Sequence, residues 1–206
     1  MNIQRFPVGE LSTNCYLFVA EKGEAALVDP GGVSDALLDA LDKVDLRLIL
    51  LTHGHYDHIA GLERLRVLYP DVPVCIHEAD EVMLRAPECN FSREISGRPF
   101  TSRADRLLKD GYTLALGSLT IDVLHTPGHS LGSVCYCVDS TIFCGDTIFQ
   151  GSAGRTDLYG GDEAALFASL GVLKALDGDR LLLPGHGADT TLDAERASNY
   201  FLKRIR

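Results

Sequence analysis

No apolar run in this 206-residue chain approaches the roughly 20 residues that a bilayer-spanning helix requires. The opening residues Met1-Asn-Ile-Gln-Arg-Phe-Pro7 carry neither the apolar stretch nor the cleavage pattern of an export signal. The six cysteines show no Cys-x-x-Cys spacing, which argues against a disulfide framework and against a thiolate zinc site. There is no basic run either. Only 19 Lys and Arg face 29 Asp and Glu, and the net charge of −10 disfavours nucleic acid as a partner. These absences argue against membrane and nucleic acid as partners and for a reducing compartment, expected to be the cytoplasm.

At this length the simplest organisation is one domain over 1–206, able to bury a substantial core. Apolar alternation predicts strands near 2–8, 14–20, 24–29, 46–52, 73–77, 112–116, 118–124, 132–138, 141–145 and 180–183. Helical spacing predicts helices near 34–43, 58–69, 78–85, 163–176 and 192–204. The helix at 163–176 rests on Leu166, Phe167, Leu170 and Leu173, with Asp162 as its N-cap. Strand clusters separated by amphipathic helices imply an α/β fold, two sheets with helices on the outside. Cys135 and Cys137 alternate along a strand as small core fillers, and the strand position of Cys144 favours burial over ligation.

The chemistry is concentrated in His53-Gly-His55-Tyr-Asp57-His58, directly after the apolar run Leu46-Arg-Leu-Ile-Leu-Leu-Thr52. Imidazole and carboxylate are the ligands a borderline divalent cation such as Zn²⁺ prefers, with Fe and Mn as alternatives. Four such groups cannot easily converge on one ion from so short a loop. His53 and His55 therefore face one metal, and Asp57 and His58 a second. Three further strands end in a glycine and a ligand-type side chain: His129 in His125-Thr-Pro-Gly-His129, Asp146 in Phe143-Cys-Gly-Asp146, and His186 in Leu181-Leu-Leu-Pro-Gly-His186. Asp29, in Val28-Asp-Pro-Gly-Gly32, carries a turn signal and is expected to buttress the ligand loop. His77 and His125 are expected to pack or support rather than ligate.

The ordered set Asn14-Cys-Tyr-Leu17, Val28-Asp-Pro-Gly-Gly32, Thr52-His-Gly-His-Tyr-Asp-His58, His125-Thr-Pro-Gly-His-Ser130, Gly145-Asp146, Gly154-Arg-Thr-Asp157 and Pro184-Gly-His-Gly187 resembles the metallo-β-lactamase superfamily. Within it, the chain is similar to the short glyoxalase II-like (hydroxyacylglutathione hydrolase-like) hydrolases. The resemblance implies the αββα four-layer sandwich, with metals at the edge between the sheets. It implies one ion on His53, His55 and His129, a second on Asp57, His58 and His186, and Asp146 bridging the two.

Two divalent ions bring four positive charges, of which Asp57, Asp146 and a bridging hydroxide remove three. The remaining charge keeps the ions acidic enough to ionise water near neutral pH. Such a centre suits hydrolysis of a thioester, because a departing thiolate needs no general acid. Asp57 would double as the catalytic carboxylate that accepts a proton from the bridging oxygen.

Full-length glyoxalase II reads glutathione with a C-terminal helical region and a Lys-x-Tyr segment. Here little sequence follows His186, and the corresponding segment reads Gly154-Arg155-Thr156-Asp157. Arg155 either binds a substrate carboxylate or pairs with Asp157 to fix a loop. A mononuclear iron persulfide dioxygenase, using His53, His129 and Asp146, is the alternative reading. A secreted β-lactamase would need export and typically carries Cys where Asp146 stands. A non-catalytic metal-binding module is disfavoured, because the ligands form no closed tetrahedral set. Arg85, Arg93, Arg98, Arg103 and Arg106 share a stretch with Pro87, Gly97 and Pro99, which reads equally as a solvated loop or as a border of the substrate pocket.

Overall fold

The central strands are buried on both faces, so each sheet is covered on both sides. The computed structural model describes residues 1–205. In the first sheet the strands β1 (Asn2–Val8), β2 (Thr13–Val19), β3 (Glu24–Val28), β4 (Asp45–Leu50), β5 (Val74–His77) and β6 (Arg106–Leu108) lie side by side in chain order. From β3 to β6 the pairing is parallel, which requires helical crossovers. In the second sheet the order is β14 (Thr190–Thr191), β13 (Leu181–Pro184), β10 (Thr141–Gly145), β9 (Val134–Val138), β8 (Leu119–His125) and β7 (Thr113–Leu116). A small hairpin, β11 (Ile148–Phe149) and β12 (Ser152–Ala153), stands apart.

Tyr16 and Phe18 on β2 point toward the second sheet, meeting Tyr136, Phe143 and Leu183 in the core between the sheets. Cys15 and Leu17 point the other way, into a layer with Leu37 and Leu41 of α1 (Asp35–Leu41) and Leu62 and Leu65 further on. A register shift between Ala25 and Ala26 lets Leu46 face that outer layer while Leu48 and Leu50 face the inner one. Behind the second sheet a third core joins Ile142, Cys144 and Leu182 to the helical residues Leu166, Leu170 and Leu202. The layers are therefore helix, sheet, sheet, helix, and the expected α/β sandwich is present.

Boundaries differ where a polar residue or a close approach interrupts a helix. The stretch expected as one helix at 58–69 is α2 (Tyr56–Ile59) and α3 (Leu62–Leu68). The stretch expected at 78–85 is a 3₁₀ turn, Glu78–Asp80, followed by α4 (Glu81–Arg85). The 85–106 stretch contains two short helices, α5 (Pro87–Asn90) and α6 (Ser92–Ser96), which composition rich in turn formers concealed, followed by irregular chain over 97–105. The helix α7 (Glu163–Lys174) is capped as expected, the Asp162 carboxylate accepting from the Ala165 N–H at 2.9 Å. At 192–204, Asn199 ends α8 (Leu192–Ser198) and caps α9 (Tyr200–Arg204) through its side chain. All six cysteines are free, and five of them, including Cys135 and Cys144, are buried. Burial pushes the Cys135 thiol up to about 12, consistent with an inert filler. Among the described residues no helix is long and apolar enough to cross a membrane.

His77 and His125 do not join the ligand cluster. Their rings stack on one another, 4.1 Å between centroids and 12° from parallel, tying β5 to β8 across the two sheets. Burial and then the facing His125 push the His77 imidazole down to about 4 from its ordinary 6.5, with Glu78 and Asp110 opposing. A base held neutral in the folded state contributes stability that is complete above its unfolded value. That contribution is lost as pH falls from 6.5 through about 4. Replacing it by His77→Phe keeps a stacked ring without the titration. The urea midpoint of this variant should fall less steeply than wild type between those two pH values. Equal slopes would assign the acid loss to other groups.

Candidate metal centre

Every ligand-type side chain sits just beyond the end of a strand, so two stiff sheets fix their positions. His53 and His55 follow β4, and Asp57 and His58 lie on the single turn of α2. His129 lies between β8 and β9, Asp146 directly follows β10, and His186 follows β13. The two sheets are pinned together here. The Asn14 side-chain amide donates to the Pro184 carbonyl at 2.9 Å and the Tyr16 hydroxyl to the same oxygen at 2.8 Å, while the Asn14 backbone N–H donates to Gly185. The glycines beside the ligands are dictated by crowding. A Cβ at Gly185 would stand 2.2 Å from Asp146 Oδ1 and 2.6 Å from the His58 ring, and one at Gly145 would stand 2.3 Å from Thr52 Oγ1.

Two groups of donor atoms result. In the first, His129 Nε2 lies 3.2 Å from His53 Nε2 and 2.9 Å from His55 Nδ1. In the second, Asp57 Oδ2 lies 3.0 Å from His186 Nε2 and 3.4 Å from His58 Nε2. Asp146 stands between them, Oδ1 3.4 Å from His58 Nε2 and Oδ2 3.6 Å from His129 Nε2 and 3.7 Å from His186 Nε2. All seven expected ligand residues thus converge.

Buried polar groups normally find partners. Here His55 Nε2, His58 Nε2 and Asp146 Oδ1 are buried and have none. Three imidazole nitrogens facing one another at these distances cannot all donate, and facing lone pairs repel. A cation in their midst would relieve the facing lone pairs, and one beside Asp146 would partner His58 Nε2 and Asp146 Oδ1, so the donor set fits divalent metal.

The surroundings orient the donors. Asp29, held at a left-handed φ of 49°, accepts from the Thr52 N–H at 2.7 Å, the Thr52 hydroxyl at 2.6 Å and His58 Nδ1 at 2.9 Å. Both its oxygens are thereby occupied, which marks it as the buttress expected from the turn signal rather than a ligand. Burial disfavours the charged His58 ring, yet Asp57, Asp146 and Asp29 raise it to about 10. An ion reaching His58 Nε2 must therefore displace a proton. Burial likewise pushes the Asp57 carboxyl up, but His58 and His186 outweigh this and hold it well below the usual carboxylate range. Burial holds His53 far below its ordinary basicity, and the neighbouring His58 and His129 add to this.

Three supporting residues were not foreseen. Thr13 donates to Asp57 Oδ2 at 3.0 Å. The Arg155 carbonyl accepts from His129 Nδ1 at 2.8 Å. Asp80, buried, accepts from the Gly54 N–H at 3.2 Å, the Ser130 hydroxyl at 2.6 Å and the Gly132 N–H at 2.6 Å, tying the two histidine loops together. A strand-end Asp after His77 was the available signal for Asp80; nothing in the spacing marks Thr13. The Arg155 side chain is exposed and held bidentately by Asp157 at 2.6 and 2.7 Å. Of the two expectations for it, loop fixing has a visible partner.

The centre forms the floor of a cavity of about 600 Å³. From the 85–106 stretch, Phe91, Glu94 and Ile95 line it, whereas Arg85, Arg93, Arg98, Arg103 and Arg106 are exposed and lie outside it. The stretch borders the pocket, though not through its arginines.

The family model of the metallo-β-lactamase superfamily matches residues 8–186. The chain belongs to this superfamily. Its fold agrees with that of the B3 metallo-β-lactamase BLEG-1, at a TM-score of 0.90 and 38% identity over 98% of this chain and 99% of that one. TTHA1623, solved in a di-iron-bound form, gives a TM-score of 0.85 at 35% identity over 97% and 100%. ETHE1 from Myxococcus xanthus gives 0.77 at 26% over 100% and 84%. Among curated relatives, the probable metallo-hydrolase YqgX of Bacillus subtilis is 36% identical and the hydroxyacylglutathione hydrolase GloC of Haemophilus influenzae 33% identical, each over 98% of both chains.

Removing the buttress should be costly. Asp29→Ala leaves the Thr52 donors and the His58 ring unpaired in a buried site and places Ala at positive φ, and should lower unfolding stability by about 3 kcal/mol. Asp29→Asn, which tolerates the same φ, should lose less. Chemical denaturation of both variants measures the difference. An Asp29→Ala protein as stable as wild type would show that His58 is held by other contacts.

Proposed function

We propose that the chain is a dinuclear metal-dependent hydrolase of thioesters, of glyoxalase II type. The observation that carries this reading is the pair of donor groups with Asp146 between them, imidazole nitrogens facing one another in the first and His58 Nε2 and Asp146 Oδ1 unpartnered beside the second. His53, His55 and His129 would hold one ion and Asp57, His58 and His186 the other, most readily Zn²⁺, with iron or manganese as alternatives. Bound there, the ions would supply Lewis acidity toward an acyl carbonyl and acidify a water to near-neutral pKa.

The remaining work falls to the chain. Asp57 would present to the second ion its Oδ2, which also accepts from Thr13, and this leaves Oδ1 to orient the attacking water and take its proton. His129 is fixed in ring orientation and tautomer by the Arg155 carbonyl, and His58 by Asp29. Among the described residues the cavity lining contains no Lys or Tyr to protonate a leaving group. A thiolate needs no such donor, whereas the amine released from a β-lactam does. That favours thioesters over the substrate class named for BLEG-1. The partner is thus a small-molecule thioester, and the relatedness to GloC supports the same choice.

A second reading draws on the likeness to ETHE1: one iron on His53, His129 and Asp146, acting as a persulfide dioxygenase. Metal analysis of purified protein separates the two. Two ions per chain with thioester turnover support the hydrolase. One iron with thiol-dependent oxygen uptake supports the dioxygenase.

Two sets of variants test the assignment. His129→Ala should deplete the first ion and His186→Ala the second; loss of the same single ion from both would contradict the split. Asp146→Asn keeps the shape but removes a charge from between the ions. Hydrolysis should fall on the order of 10²-fold or more with both ions weakened and the fold intact by circular dichroism. Near-normal turnover with two ions retained would remove Asp146 from the centre.

A further inference from the structure

The wall of the cavity that comes from α5 and α6 is a constructed surface. Asn90 and Ser92, both fully buried, clamp it. The Asn90 amide donates to the carbonyls of Met83 at 2.7 Å and Phe100 at 3.2 Å, and its side-chain oxygen accepts from the Ser92 N–H at 3.0 Å. The Ser92 hydroxyl accepts from the Phe100 N–H at 3.0 Å. Between these two residues Phe91 is held at φ 62° and ψ 22°, a left-handed conformation that costs free energy in a bulky residue. Such strain persists only where surrounding contacts impose it. Its effect is to bring the Phe91 ring to 5.7 Å from the ring of His55.

Facing this wall are Phe149, Leu158 and Leu11, so the space over the ligands is a slot with apolar sides. Its charges are few. Among the described residues Arg155 is the only Lys or Arg in the lining, and its charge is offset by Asp157, which takes its Nε and Nη2 donors. Glu94 adds a free negative charge. A carrier bearing two carboxylates, such as the glutathione tripeptide, would meet in the lining a single Arg that is already ion-paired and one repelling carboxylate.

We infer that Phe91 is a specificity-determining residue, and that the cavity takes thioesters by an apolar, carboxylate-free body in preference to polycarboxylate thiols. This rests on the thioesterase reading above and names the substrate class within it. Phe91 and Ile95 grip the apolar body against Phe149 and Leu158, and the sulfur and acyl carbon lie over the ligand floor. Selectivity arises from area buried on one side and from an unanswered carboxylate on the other.

The test uses the full-length, metal-loaded protein and one acyl group on two carriers: the benzoyl thioesters of N-acetylcysteamine and of glutathione. The neutral thioester should show kcat/KM roughly tenfold or more above the glutathione one. Phe91→Ala should raise KM for the neutral thioester roughly tenfold with a smaller change in kcat, and Phe91→Leu should recover much of the loss. Glu94→Gln should improve only the glutathione thioester, and most at low ionic strength. Calorimetric binding of the matching benzyl thioethers gives a readout that does not need turnover. Hydrolysis with the glutathione thioester preferred, or with both substrates equally affected by Phe91→Ala, overturns the inference and leaves the hydrolase intact. Failure to hydrolyse either thioester, with the neutral thioether still bound preferentially through Phe91, overturns the hydrolase reading and leaves the slot standing. No preference in binding and no turnover overturn both.

Discussion

Five imidazoles and two carboxylates are held in one small volume, and the mutual repulsion of their lone pairs and charges is the constraint around which the rest is built. No flexible loop could impose it. The side chains are therefore rooted at the ends of strands from both sheets, and each is fixed from behind: His58 by Asp29, His129 by the Arg155 carbonyl, Asp57 by Thr13. The glycines at 145 and 185 exist for the same reason, since a methyl group at either would occupy space that a ligand or its neighbour already fills. What a soluble core would reject is stable here because the sandwich leaves the groups no alternative position.

The site was legible in the sequence to the extent that local chain geometry encodes it. A strand, a glycine and a ligand residue recur at His129, Asp146 and His186, and the dense stretch from His53 to His58 follows the apolar run that ends β4. Strand clusters separated by amphipathic helices likewise announced sheets covered by helices on the outside. The supporting residues were less visible because they act through space. Thr13 reaches Asp57 across 44 positions, and Asp80 joins loops 26 and 50 residues away. The 85–106 stretch was half legible: bordering the pocket was one of its two readings, but the residues that reach the cavity are Phe91, Glu94 and Ile95 rather than the arginines. Its arginines and prolines suggested solvent, while its structure is decided by two small buried polar residues, Asn90 and Ser92, whose value lies in hydrogen bonds to Met83 and Phe100.

The division of labour follows from this. The floor of the cavity is made by strand ends whose motifs this chain shares with its superfamily. Its near side is made by short helices that no ligand depends on. Relatives with different chemistry printed in their names, the B3 metallo-β-lactamase BLEG-1 and the hydroxyacylglutathione hydrolase GloC, are both similar over most of this chain. One fold thus carries more than one activity, and the choice between them lies in the site rather than in the fold.

Because the donors come from both sheets, an ion held among them fastens His53 to His129 and Asp57 to His186, residues far apart in the chain. The Asn14 and Tyr16 bonds to Pro184 close the same seam with protein atoms alone. Ligand free energy and sheet docking are then one quantity, and the folded population rises with free ion by mass action. Without that ion the seam would rest on protein contacts such as the Asn14 and Tyr16 bonds, and the opened chain would be the more exposed to proteolysis the scarcer the metal.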